Sequence, residues 1–378
     1  MEYRKFPGID VRASLLSMGC MRLPTKPAGD GNVIDRELAI PMIRSGIDRG
    51  INYLDTAYGY HNKESQIVVG LALQNGYRER VTLATKLPHW SVNTYEDMEK
   101  LLDESLEKLQ VDVIDFYLVH ALGGDSYVKM RDLGVRKFLD AMVKKGKIRY
   151  PAFSFHDGAE AFETIITDYP WVMAQVQMNY LDEFNQATLE KIVKYSDKVG
   201  MIAMEPLRGG ALVATVPSDV QAVYDSVKPK RKPVEWAFRW LYDMPEFVTI
   251  LSGMSSMAQL DENLAIFEDA TSGVMTADEK KMIERARVTY ERRIRAGCTG
   301  CEYCLPCPAG VKIPRVLQSF DEAFMFDRMA GFKKHYQRMI AEESDGGRCT
   351  HCGKCEELCP QKIKIISLLE EIHKEYGA

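Results

Sequence analysis

Eight of the nine cysteines in this 378-residue chain fall in two short runs near its C-terminus, and their spacing constrains the fold more than any other feature. The first run is Cys298, Cys301, Cys304 and Cys307, followed by Pro308. The second is Cys349, Cys352, Cys355 and Cys359, followed by Pro360. The second reads C-x2-C-x2-C-x3-C-P, a spacing that ligates iron–sulfur clusters. Three closely spaced thiolates wrap one cube, and the cysteine before the proline reaches the other cluster. The pattern predicts two 4Fe–4S clusters. Cys298, Cys301, Cys304 and Cys359 would hold one, and Cys349, Cys352, Cys355 and Cys307 the other. The first run has two residues rather than three before its last cysteine, which leaves the fourth ligand of one cluster open.

Two other uses of cysteine fit less well. A disulfide framework needs an oxidising compartment, and the N-terminus shows no charged end followed by an apolar core that would send the chain to one. Zinc prefers separated C-x2–4-C pairs. His351 lies between ligand positions of the second run and reads as a solvated neighbour. Cys20 stands alone and reads as a small buried hydrophobe. A net charge of -5 gives no support for nucleic-acid binding, and no stretch has the apolar length of a membrane span. A reducing cytoplasm is the expected location.

Upstream of the cysteines, short β-branched and apolar runs alternate with segments of helical period. Candidate strands are 15–19, 51–54, 81–85, 113–119, 148–153, 172–176, 201–204 and 247–251. Apolar residues at Met98, Leu101, Leu102, Leu106 and Leu109 mark a helix over 95–109, and Thr94 with Asp97 marks its start. Asp157 marks another start, and 186–196 a further helix. Eight strands alternating with helices predict a (β/α)8 TIM barrel, with a doubly wound open sheet as the competitor. Residues 3–11 read as a hairpin closing the barrel's bottom. The expected domains are a barrel over 1–295 and a small α-helical iron–sulfur domain over 296–378. Phe320, Phe324, Phe326 and Phe332 would supply the helical core of the second domain.

Barrel enzymes carry their chemistry at the C-terminal ends of the strands. There the sequence places Asp55, Lys86 and His120, then Ser154 and Gln175, with Tyr60 on the loop beyond Asp55. A buried lone charge is costly, so Asp55 and Lys86 pair. An ammonium beside Tyr60 would lower its pKa, letting the phenol protonate a carbonyl oxygen as hydride reaches the carbon. His120 would orient that carbonyl. Taken singly, each residue also reads as a structural ion-pair or hydrogen-bond partner. Their coincidence at successive strand ends favours chemistry.

With these residues the chain resembles the aldo-keto reductases. The likeness rests on Tyr3-Arg4-Lys5-Phe6, on Met18-Gly19-Cys20-Met21-Arg22-Leu23-Pro24 and on Asn52-Tyr53-Leu54-Asp55-Thr56-Ala57-Tyr58-Gly59-Tyr60. It continues through Ala84-Thr85-Lys86, Asp115-Phe116-Tyr117-Leu118-Val119-His120 and Glu262-Asn263. That family's catalytic tetrad maps onto Asp55, Tyr60, Lys86 and His120. The cysteine runs are similar to a subgroup with a ferredoxin-like C-terminal extension.

The resemblance implies a nicotinamide cofactor. Ser154 and Gln175 would hold its carboxamide. Gly19, Met21, Leu207, Arg208 and Gly209 would lie along it, and Gly253, Ser255, Ser256, Gln259 and Asn263 would meet its far end. Three departures stand out. Phe155-His156 replaces an expected asparagine after Ser154. Met204-Glu205 stands where an aromatic ring usually stacks on the nicotinamide. Gly253 and Gln259 occupy positions where NADP-using members carry a lysine and an arginine, so both NADP and NAD remain open. Met21, Arg22, Trp90, Phe155 and residues 121–131 are expected to shape the substrate pocket, with Arg22 meeting a carboxylate or forming a surface ion pair.

The expected protein is an oxidoreductase. It transfers hydride between NAD(P)H and a small carbonyl or alcohol, and its clusters serve electron transfer, with a redox partner protein, or structure. The alternative is an iron–sulfur electron-transfer adaptor whose barrel docks a partner.

Overall fold

The computed structural model describes residues 1–29 and 31–377. Eight parallel strands close into a barrel, each running on a mainly buried sequence: β1 (Leu16–Gly19), β2 (Tyr53–Asp55), β3 (Thr82–Leu87), β4 (Ile114–Leu122), β5 (Ile148–Phe155), β6 (Met173–Gln177), β7 (Gly200–Met204) and β8 (Phe247–Gly253). They neighbour one another in chain order, and β8 pairs back onto β1 through Gly253 and Gly19. The barrel is the predicted one, and the open sheet is set aside.

Local signals explain much of this. Helix Tyr95–Leu109 starts at the Thr94–Asp97 capping box and buries Met98, Leu101, Leu102 and Leu109. Helix Ala277–Glu291 starts the same way at Thr276 and Glu279. Helix Ala159–Asp168 starts just after Asp157, as expected, with Gly158 as its N-cap. Asp157 Oδ1 accepts from Gly158 N, and its Oδ2 accepts from Gly124 N, at the start of helix Gly124–Asp132. The helix predicted over 186–196 is shorter, Leu189–Tyr195, capped by Thr188.

The N-terminal strands Tyr3–Lys5 and Arg12–Ser14 form the expected antiparallel hairpin. Its turn carries Phe6 into the barrel interior, fully buried, with its ring centroid 4.8 Å from that of Phe116. Burying such a ring is worth ~1.5–3 kcal/mol. Gly200 makes room for it, because a Cβ there would lie 2.4 Å from the Phe6 ring. The Arg4 guanidinium donates to the carbonyls of Tyr242, Met244 and Phe247, tying the hairpin to the segment that leads into β8. A second hairpin, Thr25–Ala28 with Gly31–Ile34, follows β1 and has no signature that the sequence reading caught.

Packing divides the chain into two compact units, Met1–Gly209 with Glu235–Met275, and Gly210–Val234 with Thr276–Ala378. The first holds the barrel. The second is helical. Its core gathers Leu317, Phe320, Phe332, Tyr336, Leu369 and Ile372 beneath the cysteine runs. Helices Ser218–Tyr224 and Ala277–Glu291 belong to this unit. The Tyr290 ring lies 5.3 Å from that of Phe326, and the Arg293 guanidinium joins Asp219 and Asp327.

Candidate active site and cysteine-lined cavities

At the barrel's C-terminal rim three strands and the loop after β2 bring four polar side chains together. Asp55 ends β2 in register with Ala84 of β3, so Lys86, two residues further along β3, rises beside its carboxylate. Both side chains are almost wholly buried. An ammonium has three hydrogens, and each has an acceptor here. Lys86 Nζ lies 2.6 Å from Asp55 Oδ2, 2.8 Å from the Thr56 carbonyl and 3.2 Å from the Tyr60 hydroxyl. Burial pulls the Lys86 pKa down, but Asp55 and Tyr60 more than restore it, and the group stays charged.

Tyr60 corrects one expectation. Burial pushes its phenol above the ordinary value of 10.0, and the Lys86 ammonium offsets that only in part. At neutral pH Tyr60 is therefore a phenol that holds its proton. His120 is neutral too, because burial, helped by Lys86, His156 and His89, pulls it down to about 2. Its ring centroid lies 5.8 Å from that of Tyr60 and 5.0 Å from that of Trp90. Immediately after it, β4 shifts register against β5, and Ala121 takes a φ of 50°. Such a bulge re-aims the neighbouring side chain. His120 Nδ1 is left buried without a hydrogen-bond partner. Burial raises the Cys20 thiol as well, so Cys20 stays protonated beside the tetrad.

Ser154 and Gln175 pair in register on β5 and β6. The Ser154 Oγ accepts from Ala121 N, which leaves its own hydrogen to donate. The Gln175 amide nitrogen donates to Met204 Sδ at 3.5 Å, while its Oε1 is buried without a partner. Met204 thus meets Gln175, at the position where an aromatic ring was absent from the sequence. The hydroxyl donor and the orphaned amide acceptor fit a carboxamide, which offers one carbonyl and one NH2. Phe155 does not join this site: it is buried and packs on Phe162, outside the barrel.

The remaining predicted nucleotide residues are distributed around the rim. Gly19 sits between Gly253 and Asp55 in the strand order. Met21 is exposed. Leu207, Arg208 and Gly209 follow β7, with Arg208 Nη1 3.6 Å from the buried Asp182 carboxylate. After β8, Gln259 Oε1 accepts from Ser255 N, Ser256 caps helix Met257–Phe267, and Asn263 donates to Ser252 Oγ. Arg22 lies away from the carboxylate or ion pair expected of it. A Cβ on Gly253 would lie 3.2–3.4 Å from the Arg22 Cδ, Cγ and Cβ atoms, and one on Gly209 would lie 3.2 Å from its Nη2. Arg22 therefore lies along the rim from β8 towards the loop after β7, and it forms no ion pair among the described residues. Only barrel closure brings these segments together, so no local signal announces the contact.

In the helical unit the cysteines, all free, line two cavities. Cys307, Cys349, Cys352 and Cys355 line one of about 160 Å³, and Cys298, Cys301 and Cys359 line a narrower one of about 20 Å³. Cys304 and Ile313 line both. The last cysteine of each run thus stands with the leading cysteines of the other, and the shorter spacing of the first run does not prevent the crossing. His351 lines neither cavity and pairs with Glu370 at 3.1 Å.

The family model described as aldo/keto reductase family matches residues 15–285. The chain belongs to the aldo/keto reductase family. A second model, described as a 4Fe-4S dicluster domain, matches residues 297–363 of this reductase. The reductase is 25% identical to the uncharacterized oxidoreductase YqkF of Bacillus subtilis, over 75% of this chain and 96% of that one. It is 24% identical to an NADH-specific methylglyoxal reductase of Escherichia coli, over 68% of this chain and 90% of that one. Its fold is that of an aldo-keto reductase of Bacillus halodurans solved in its holo form, with a TM-score of 0.63 at 24% identity, over 76% of this chain and 96% of that one. No helix among the described residues is long and apolar enough to cross a membrane.

Proposed function

We propose that this reductase converts a small carbonyl compound to its alcohol with NADH or NADPH, and that Tyr60 is the general acid. The observation that carries this reading is the saturated Lys86 ammonium, whose third hydrogen is spent on the Tyr60 hydroxyl. A bound reduced nicotinamide supplies hydride, and the carbinol oxygen then needs one proton. Tyr60 holds that proton at neutral pH and delivers it to the oxygen. The phenolate left behind faces Lys86, which Asp55 keeps charged. Neutral His120 donates one ring N–H to the same oxygen and orients it. Ser154 and Gln175 hold the carboxamide through the free hydroxyl hydrogen and the orphaned Oε1.

Arg22 lies where a cation can meet the cofactor's phosphates, and Gly253 gives its stem room. Leu207, Arg208, Gly209, Ser255, Ser256, Gln259 and Asn263 complete the nucleotide site. Cys298, Cys301, Cys304 and Cys359 hold one 4Fe–4S cluster, and Cys307, Cys349, Cys352 and Cys355 the other. All eight donors are thiols, the ligand type such clusters take. In sequence the domain boundary falls at 295/296, between the two family matches, although in packing helix Ala277–Glu291 belongs to the second unit. The clusters would supply single-electron transfer to a redox partner protein or brace the fold, and carbonyl reduction would need no cycling of them.

The test is anaerobic NAD(P)H oxidation against a panel of aldehydes and ketones, in wild type and Tyr60→Phe. Tyr60→Phe should lose on the order of 10² in kcat or more, with nucleotide affinity little changed. Retention of most activity would remove Tyr60 from the role of acid.

A further inference from the structure

Asp321 sits on helix Ile313–Met325, and its carboxylate is buried. Four consecutive amides converge on it. Oδ1 accepts from Arg295 N at 2.9 Å and from Ala296 N at 2.6 Å. Oδ2 accepts from Gly297 N at 2.9 Å and from Cys298 N at 3.4 Å. No lysine or arginine pairs with it among the described residues, and the nearby Arg295 guanidinium pairs with Glu371 instead. The carboxylate's charge is met by backbone dipoles alone. It also takes the amides that lead into Cys298, which would otherwise be available to a cluster sulfur.

Ile313, Leu317 and Asp321 recur every four residues, so they share one helix face. Ile313 and Leu317 line the cavity of Cys298, Cys301, Cys304 and Cys359. The charged side chain lining that cavity is Glu302, whereas Lys354 lines the other. Glu356, beside Cys355, accepts from Ile366 N and is only part-buried, so solvent screens its charge more than that of buried Asp321. Reducing a cluster adds one negative charge, and a fixed charge acts most strongly from a buried site of low dielectric. Net charge and hydrogen bonds to the sulfurs set a cluster's potential. Both factors work against reduction beside Cys298.

We infer that Asp321 positions Cys298 and holds the cluster of Cys298, Cys301, Cys304 and Cys359 at a lower reduction potential than its neighbour. The inference rests on the two-cluster reading above. An added electron accordingly rests on the cluster of Cys307, Cys349, Cys352 and Cys355.

The test uses the full chain with its clusters reconstituted anaerobically. Iron and acid-labile sulfide are counted first, and a dithionite titration with redox dyes is then followed by electron paramagnetic resonance. Wild type should show two separate one-electron waves, and Cys352→Ala should lose the upper one. Asp321→Asn should move the lower wave upward and leave the upper wave in place. Lys354→Gln should lower the upper wave alone. If Asp321→Asn fails to hold its cluster, Glu302→Gln decides, since it should raise the lower wave alone. A single unsplit wave at full iron content overturns the inference. So do waves that shift together, a lower wave unmoved by Asp321→Asn or Glu302→Gln, or loss of the lower wave in Cys352→Ala. Iron and sulfide for only one cluster in wild type overturns the two-cluster reading instead.

Discussion

Lys86 Nζ lies 3.2 Å from the Tyr60 hydroxyl, at the end of a path that begins with Asp55 Oδ2 2.6 Å away. The lysine is fully buried, so its charge belongs to this pair of contacts and to the Thr56 carbonyl rather than to solvent. In the proposed mechanism Asp55 maintains the charge, Lys86 stabilises the phenolate, and Tyr60 moves the proton.

This arrangement separates stability from catalysis. Lys86→Met leaves the Asp55 carboxylate buried and unpaired, and breaking a buried pair in this way costs ~3–5 kcal/mol. Adding Asp55→Asn removes the stranded charge and should recover most of that loss, while activity stays absent. Denaturant unfolding of the two variants checks this. A cost below about 1 kcal/mol for Lys86→Met would mean that the pair is not held as the charged unit described here.

The pH dependence of stability has a definite sign. His120 titrates at about 2 in the folded barrel, against 6.5 for an ordinary histidine. Between those values the unfolded chain binds a proton that the folded one refuses, so stability falls as pH drops below 6.5. The full effect is ~1.4 kcal/mol per pH unit. His120→Gln should flatten the stability curve between pH 6.5 and 5. Parallel curves for wild type and variant would show that His120 protonates freely in the fold.

Cofactor affinity, rather than the choice between NAD and NADP, is expected to depend on Arg22. Gly253 and Gln259 offer no charge to a 2′-phosphate: the Gln259 Oε1 accepts from Ser255, and its NH2 is an uncharged donor. NADH and NADPH should bind within about tenfold of each other. Arg22→Ala should weaken both alike, by roughly ten- to a hundredfold, the worth of one charge-assisted hydrogen bond of ~1.5–3 kcal/mol. Fluorescence titration measures this. NADPH binding a hundredfold tighter than NADH in wild type, with only that preference lost in Arg22→Ala, would move Arg22 from the shared phosphates to the 2′-phosphate.

The sequence made the barrel and the tetrad legible because both are written in local order: apolar runs at regular intervals, and ionisable residues where those runs end. The capping box at Thr94 is legible for the same reason, whereas that at Thr276 is seen only in the structure. What escaped depends on distance or burial. The ammonium beside Tyr60 could be inferred, but not the burial that outweighs it, so the direction of the phenol's shift was misjudged. Arg22 meets Gly253 and Gly209 only because the first and last strands pair. Asp157 reaches the helix beginning at Gly124 as well as the N-cap of its own. The register shift at Ala121 leaves no mark in a run of apolar residues, yet it lies beside His120. Asp321 is one acid on an amphipathic helix until the turn at Arg295–Cys298 folds onto it.

The central claim is that the barrel delivers hydride, with its proton from Tyr60, independently of the clusters. The most direct measurement follows the label from nicotinamide-deuterated NAD(P)H into the alcohol product by mass spectrometry. It is made on wild type and on the Cys352→Ala/Cys355→Ala variant, with circular dichroism and nucleotide binding confirming an intact barrel. The account predicts one deuterium on the carbinol carbon in both proteins, at similar rates. Product carrying solvent hydrogen at that carbon, or loss of turnover in the variant while fold and nucleotide binding survive, would contradict it and place the clusters within the catalytic cycle.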